Sequence, residues 1–247
     1  MARVVVVVPC YNEEKRLDVD AFRSFALPGH YVDFRFVDDG SDDGTAAVLE
    51  RIRASRDGVT VQRLARNAGK AEAVRQGVLA ALADEKYDYV GYWDADLAAP
   101  LSELAAFVAI LESRRSVDVV FGSRVKLMGR SIERLAWRHY LGRIGATLAS
   151  IALALPIYDT QSGQKLFRAT ELLARVFAEP FLTRWVFDVE VLARFLTMDP
   201  RGRAHAAASI HEIPLEHWAF VAGSKVKPTD FARALADLAT IKRRYRL

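Results

Sequence analysis

The chain has 247 residues, of which 51% are hydrophobic and 27% charged, with a formal net charge of +4 and a pI near 9.2. That length and balance suit one α/β domain with a full core, or at most two small ones, and exclude a disordered chain. One cysteine, Cys10, excludes an intramolecular disulfide framework and a multi-cysteine zinc site, and is compatible with a reducing compartment. The mild basic excess suits phosphate-bearing ligands or an anionic membrane surface, but is equally common among ordinary globular proteins.

Residues 4–8 are an unbroken run of valines, the pattern of a strand buried on both faces. The run is short, lacks a small-residue cleavage site and ends in Pro9-Cys10-Tyr11-Asn12, so a strand is expected here and not a signal peptide. Further strands are expected at 33–38, 59–64, 87–93 and 117–121, with helices between them at 43–55, 68–83 and 101–113. Asp43 and Ser102 stand at N-terminal positions of their helices. Strand alternating with helix predicts a mostly parallel, doubly wound sheet. The second half is read as a long helix over 131–155, helices at 170–177 and 187–196, a strand at 209–215 and a final helix Thr229–Tyr245 with a basic end. No stretch reaches the roughly 18–20 apolar residues that span a bilayer. The closest, 144–157, carries Ser150 and Pro156. There is no repeat or linker, so a single domain over 1–247 is expected, its C-terminal part folded over the sheet edge.

Three polar clusters follow the carboxyl ends of predicted strands, where open α/β sheets bind ligands. Asp94-Ala95-Asp96 follows the fourth strand. At a strand end the backbone turns, and both carboxylates can converge on a hard divalent cation, Mg²⁺ or Mn²⁺. Alone, such a pair is more often a solvated turn. Asp38-Asp39-Gly40-Ser41-Asp42-Asp43-Gly44-Thr45 ends the second strand. Its carboxylates suit a base or ribose, although a helix cap accounts for Asp42 or Asp43. Lys70, at a helix start after the third strand, suits phosphate or is simply an exposed lysine.

In order, Val-Val-Pro-Cys-Tyr-Asn-Glu-Glu (7–14), Val-Asp-Asp-Gly-Ser-Asp-Asp-Gly-Thr (37–45), Arg-Asn-Ala-Gly-Lys (66–70) and Asp-Ala-Asp-Leu (94–97) resemble the family 2 glycosyltransferases of GT-A fold. The resemblance continues through Gly122-Ser123-Arg124, the segments 159–167 and 184–190, and Gly223-Ser224-Lys225. These later segments look like dolichyl-phosphate β-glucosyltransferases more than their mannosyl relatives. The resemblance implies a nucleotide-binding half, 1–121, and an acceptor-binding half, 122–247, ending in an amphipathic helix. Pro9, Tyr11 and Glu13 would line the base, Asp39 would reach the base or ribose, and Lys70 would sit near the nucleotide. Asp94 would touch donor ribose or sugar and Asp96 would be the metal ligand. Arg124, Arg138 and Lys165 would hold the acceptor phosphate, with Gln161, a donor contact, and Lys165 in a loop closing over donor and acceptor. Where the mannosyl relatives place a serine, four residues after that second arginine, this chain has Gly142.

The expected reaction is inverting transfer of a hexose, glucose from UDP-glucose first among the candidates, to a polyprenyl or dolichyl phosphate. Transfer from GDP-mannose, or to a saccharide hydroxyl, are the alternatives. A hydroxyl acceptor needs a base, and Asp159 or Asp188 would be the candidates. An inactive nucleotide-sugar binder is more distant, and no nucleic-acid partner is expected, since the sheet-end acids would repel a phosphate backbone. Arg124, Lys126, Arg130, Arg134, Arg138 and Arg143, beside Leu127, Ile132, Leu135, Trp137, Tyr140 and Leu141, would suit an amphiphile with a phosphate head. With the basic end Lys242–Arg246, they suggest peripheral contact on the cytoplasmic face of a membrane. His139, His205, His211 and His217 show no metal spacing, and Cys10 is read as a small buried residue.

Overall fold

A computed structural model describes residues 1–133, 136–184, 186–221 and 229–247, with side chains throughout except at 136–143 and 229–232. Trp185 and Gly223-Ser224-Lys225 fall outside the described residues, and Arg134 and Leu135 with them. The side chains of Trp137, Arg138, Tyr140, Leu141 and Arg143 do so too.

The valine run forms β1 (Arg3–Cys10), and its alternation divides the core into two layers. Val5 and Val7 face one side, with Val74, Phe187, Phe195 and Ile241. Val4, Val6 and Val8 face the other, with Phe22, Phe34, Leu49 and Phe107. Each fully buried valine side chain contributes roughly 1.5–3 kcal/mol over exposure, so the run fixes both the centre and the register of the sheet. The first layer draws on both ends of the chain, from Val5 to Ile241, and so binds the two halves into one core.

The remaining strands are β2 (Tyr31–Asp38), β3 (Val59–Arg63), β4 (Tyr89–Tyr92), β5 (Val119–Ser123), β6 (Ser131–Ile132), β7 (Lys165–Arg168), β8 (Ile210–Pro214) and β9 (His217–Trp218). The helices are α1 (Val19–Ser24), α2 (Thr45–Ser55), α3 (Lys70–Ala83), α4 (Leu104–Ser113), α5 (Ala136–Leu153), α6 (Glu171–Ala178), α7 (Phe187–Met198), α8 (Arg203–Ala208) and α9 (Thr229–Tyr245). The main sheet has the order β3-β2-β1-β4-β7-β5-β8, and a small sheet pairs β6 with β9. All pairings are parallel except those of β7, which runs antiparallel between β4 and β5.

The expected mostly parallel α/β sheet is present, and most boundaries move for a local reason. The helices expected from 43 and 68 begin at Thr45 and Lys70. In the first, Asp43 takes the N–H of Thr45 at 2.9 Å. In the second, the N–H groups of Ala68 and Gly69 go to Asp39, so the helix starts two residues later, at Lys70. The helix expected over 131–155 is split. Ser131 donates to the carbonyl of Glu216 at 2.8 Å and Glu133 to that of Trp218 at 2.8 Å, drawing the first residues into the small sheet. The sequence reading left α1, α8, β7 and β9 unassigned. Two are six-residue helices and two are strands of four residues or fewer, all too short for periodicity to declare. Among the described residues no helix is long and apolar enough to cross a membrane.

Candidate active site

The carboxyl ends of β1, β2 and β4 meet at one edge of the sheet. Pro9 lies half-buried within β1 opposite Val37, and Tyr11 half-buried just past it. Asn12 takes a left-handed conformation, φ 53°, and ties the two first motifs together. Its N–H reaches the Ser41 hydroxyl at 3.0 Å and its amide oxygen accepts from the N–H of Asp42 at 3.1 Å. Glu13 is buried, pairs with Arg16 and is held by its own N–H to the Thr45 hydroxyl at 2.8 Å.

Asp39 is 2% exposed. Its two carboxylate oxygens accept from the N–H groups of Ala68, 2.7 Å, and Gly69, 2.8 Å. Its immediate work is therefore to hold the β3–α3 loop, the segment that delivers Lys70. Gly40 permits this approach. It sits at φ +67°, and a Cβ there would lie 2.6 Å from the carbonyl carbon of Arg66.

Past β4, the indole of buried Trp93 donates to the carbonyl of Ala99 at 2.8 Å and closes the turn that carries both aspartates. Within it Leu97 donates to the Asp94 carbonyl at 3.2 Å, and Ala98 to Asp96 Oδ1 at 3.2 Å. Asp94 Oδ1 lies 2.5 Å from Lys70 Nζ. Burial opposes the charge on Lys70, but Asp94 and then Asp188 outweigh it and hold the ammonium above its ordinary value. Asp96 behaves the opposite way. Burial, and next the charge of Asp94, push its carboxyl above the usual range. The Asp94 carboxylate rests on the backbone of Gly163, where any Cβ would collide with it.

Arg124 follows β5. Its Nε donates to Asp159 Oδ2 at 2.6 Å and its Nη2 to Oδ1 at 2.8 Å, a two-pronged pair. Its guanidinium lies over the Trp218 ring, 5.6 Å from the centroid. Burial opposes its charge, but Asp159, and further off Asp94 and Asp188, hold it firmly protonated. Asp159 is held in turn by Glu212 of β8, which accepts the N–H groups of Tyr158 at 2.8 Å and Asp159 at 2.7 Å.

Lys165 departs from its expected place. It lies in β7 and not in the loop, with no exposed surface. Its ammonium donates to the carbonyls of Thr160 at 3.0 Å and Ser162 at 2.7 Å, and to Asp188 Oδ1 at 2.6 Å. An ammonium has three donors, and these contacts use them all. Lys165 therefore shapes the loop from below and has no donor left for an acceptor phosphate. Burial depresses its ammonium below the usual value, although Asp188 opposes this. Asp188 also accepts the Tyr92 hydroxyl at 2.5 Å, which leaves both candidate bases, Asp159 and Asp188, engaged by cations. Gln161 stands exposed in the loop. Glu190 belongs elsewhere: with Arg194 and Tyr245 it fastens the end of α9 to α7.

The structure thus gathers Asp94, Asp96, Lys70 and Gly163 at one point, with Arg124 and Asp159 across from them. Arg138 lies in α5, its side chain outside the described residues. Sequence reasoning missed the supporting parts: Glu212, Glu103, Trp218 and Tyr92. The signal at Glu212 was an acid between isoleucines in Ile-His-Glu-Ile-Pro, a strand pattern that leaves a charge half-buried. Among the described residues no group of three or more His, Cys, Asp or Glu side chains is placed to hold a metal ion by itself.

Residues 5–172 match the sequence profile described as Glycosyl transferase family 2. The chain is 32% identical over 260 residues to the dolichyl-phosphate beta-glucosyltransferase of Mus musculus, covering 97% of this chain and 75% of that protein. It is 30% identical over 264 residues to the Saccharomyces cerevisiae enzyme of the same name, covering 98% and 75%. Among solved structures, the glucosyl-3-phosphoglycerate synthase of Mycobacterium tuberculosis with Mn²⁺, UDP-glucose and phosphoglyceric acid shares the fold. The TM-score is 0.68 over 98% of this chain and 80% of that one, at 18% identity. The acids, the lysine and the arginine that the sheet edge brings together all lie within residues 5–172, and the chain belongs to glycosyl transferase family 2, a glycosyltransferase of GT-A fold.

Proposed function

We propose that the chain transfers glucose from UDP-glucose to a polyprenyl phosphate, with inversion. The relatives named as dolichyl-phosphate beta-glucosyltransferases support the sugar and the acceptor class. The observation that carries the acceptor class is the engagement of both candidate bases. Asp159 is bound by Arg124, and Asp188 by Lys165 and Tyr92. A hydroxyl acceptor would need one of them free to take its proton. A phosphate acceptor is already anionic and needs none.

In this reading Pro9, Tyr11 and Glu13 border the nucleotide, and Lys70 approaches the donor. Asp39 acts on the donor site by fixing the loop before Lys70, and leaves direct base contact to its neighbours. Gln161 and Asp94 face the sugar, and Asp94 is steadied by Lys70 and Gly163. Arg124 draws the acceptor phosphate toward the anomeric carbon, with Arg138 as a second acceptor contact. An acceptor phosphate oxygen attacks that carbon, the bond to the diphosphate oxygen breaks, and UDP leaves with the electron pair. No proton moves. Orientation and charge compensation supply the rate.

Asp96 suits a divalent ion by its chemistry. It is a hard oxygen donor, half-buried beside a second carboxylate, and burial, then the Asp94 charge, raise its pKa. Mg²⁺ or Mn²⁺ bound there would neutralise the departing diphosphate. A Mn²⁺ and UDP-glucose complex of a fold relative is consistent with this.

We place the protein peripherally on the cytoplasmic face of a membrane. Exposed Ile144 and Ile151, two turns apart on α5, and the basic end of α9, Lys242 to Arg244, support that placement. The test is a donor screen that measures UDP release and glycolipid formation with and without polyprenyl phosphate, in EDTA and in Mn²⁺. Glycolipid formed only with UDP-glucose, lipid phosphate and metal is expected. Equal transfer to a saccharide hydroxyl without lipid would overturn the reading.

A further inference from the structure

Among the described residues, three carboxylates do the same thing. Each grasps two consecutive backbone N–H groups and thereby fixes a loop. Asp39 grasps Ala68 and Gly69, just before Lys70. Glu212 grasps Tyr158 and Asp159. Glu103, buried at the start of α4, accepts on one oxygen from Glu216 at 2.9 Å and His217 at 2.7 Å, just before Trp218. The last two loops converge. Asp159 supplies the carboxylate that grips Arg124, and Trp218 supplies the ring beneath its guanidinium.

We propose that Glu212 and Glu103 are positioning residues that set the guanidinium of Arg124 from two sides. The proposal rests on the role given to Arg124 above. Neither glutamate touches Arg124. Glu212 acts through the 158–159 backbone and the Asp159 carboxylate, and Glu103 through the 216–217 backbone and the Trp218 ring. The backbone of Arg124 is bound into the same system, since its N–H reaches Asp159 Oδ2 at 3.2 Å. The registers of the strands explain why these residues were chosen. Glu212 pairs across from Phe121 on β5, three residues before Arg124, so one strand pair carries both the clamp and the arginine. A free arginine at this edge could fall onto Asp94, whose charge it also feels. Two clamped partners keep the fork directed and preorganised, where a displacement on the order of 1 Å can cost about 100-fold in rate.

The test compares Glu212→Gln, Glu103→Leu, Asp159→Asn, Arg124→Ala and the Glu212→Gln/Arg124→Ala double variant in the full chain. Steady-state transfer to polyprenyl phosphate, UDP-glucose affinity by calorimetry and thermal melting are measured for each. Glu212→Gln is expected to lower kcat about 10-fold to 100-fold, with UDP-glucose affinity held within about twofold. Asp159→Asn should reproduce that pattern without altering Glu212. In the Arg124→Ala background Glu212→Gln should cost nothing further, as coupling through one residue requires. An equal loss with and without Arg124, or kcat for Glu212→Gln within about twofold of the parent while Arg124→Ala is crippled, would overturn the inference alone. Full transfer by Arg124→Ala would overturn the role of Arg124 itself. Should Glu212→Gln melt early, Glu103→Leu, which removes the oxygen that takes both N–H groups, supplies the second route to the same comparison.

Discussion

The two halves of the chain build their share of the site by different means. In residues 1–121 the polar groups are placed by parallel strands that each end at the sheet edge and turn directly into a loop. Asp39 and Asp94 arrive there because β2 and β4 deliver them. In residues 122–247 the groups are placed from a distance. Lys165 lies inside an antiparallel strand, Asp159 is set by Glu212, and Trp218 is set by Glu103. The first half uses strand ends as its scaffold, with Asp39 pinning one loop, and the second depends throughout on carboxylate pins, Glu212 from its own strand and Glu103 from across the chain. The difference predicts different failures. Damage in the first half should remove chemistry and spare the fold, and damage in the second should reach the chemistry through the fold.

The largest effect tests the first half. Asp96→Ala should reduce transfer by about 1,000-fold or more, the scale of losing charge stabilisation at a leaving group. Its melting temperature should not fall, because the carboxylate is held against burial and against Asp94. Single-turnover transfer in saturating Mn²⁺, beside a thermal melt, decides this. Loss of both activity and fold would break the contrast.

Lys165→Met tests the second half. It strands Asp188 beneath Tyr92 without its cation, and breaking one partner of a buried pair typically costs about 3–5 kcal/mol. Adding Asp188→Asn should restore most of that stability, since the neutral pair leaves no orphan charge. Urea titrations of the parent and the two variants measure it. If Lys165 instead served the acceptor phosphate, Lys165→Met would raise the acceptor KM and leave the urea midpoint unchanged.

Gly163→Ala lies where the halves touch. The new methyl group would collide with the Asp94 carboxylate, so Asp94 or the loop must shift. A loss in kcat of about 10-fold to 100-fold is expected from misplacement alone. The KM for UDP-glucose should rise with it, and both should be read from initial rates. Unchanged kinetics would mean that the loop yields freely, and that the pins under it at Lys165 are less firm than their geometry.

What the sequence disclosed follows the same division. Five consecutive valines, and acids placed directly after apolar strands, announce a buried parallel sheet and its binding edge, because both signals are local. Lys70 could be named for the same reason, and Arg124 through the family resemblance of Gly122-Ser123-Arg124. The role of Lys165 could not. A lysine beside Gln161, Ser162 and Gly163 looks exposed, and only the pairing of β7 with β4 and β5 reveals that it is buried. Asp39 shows the same limit from the first half. Its position at a strand end suggested a ligand contact, but the N–H groups that engage it lie 29 and 30 residues further along the chain. Glu212 and Glu103 reach partners still more distant in sequence, and a clamp of that kind has no local pattern to betray it.

The smallest effect sharpens the contrast through pH. Burial and Asp94 raise the Asp96 carboxyl above its ordinary range, so the folded state holds that proton more tightly than the unfolded chain does. Above the ordinary carboxylate pKa, near about 4, the unfolded chain releases the proton first. Stability is therefore lost as pH rises from there through the raised folded value, and stays lower beyond it. Asp96→Asn removes the penalty. It should match the parent in stability at about pH 2–3, where both side chains are neutral, and exceed it at neutral pH. The gap at pH 7 should be a few degrees at most, the size of about 1 kcal/mol in a chain of this length. Melting curves across pH, with metal excluded by EDTA, test the sign. Adding Mn²⁺ with UDP should then stabilise the parent and leave Asp96→Asn little changed, because the ion relieves the same excess charge that the substitution removes. A variant less stable than the parent at neutral pH would show that Asp96 supports the turn more than it strains it, and the first half would then share the second half's dependence on pins.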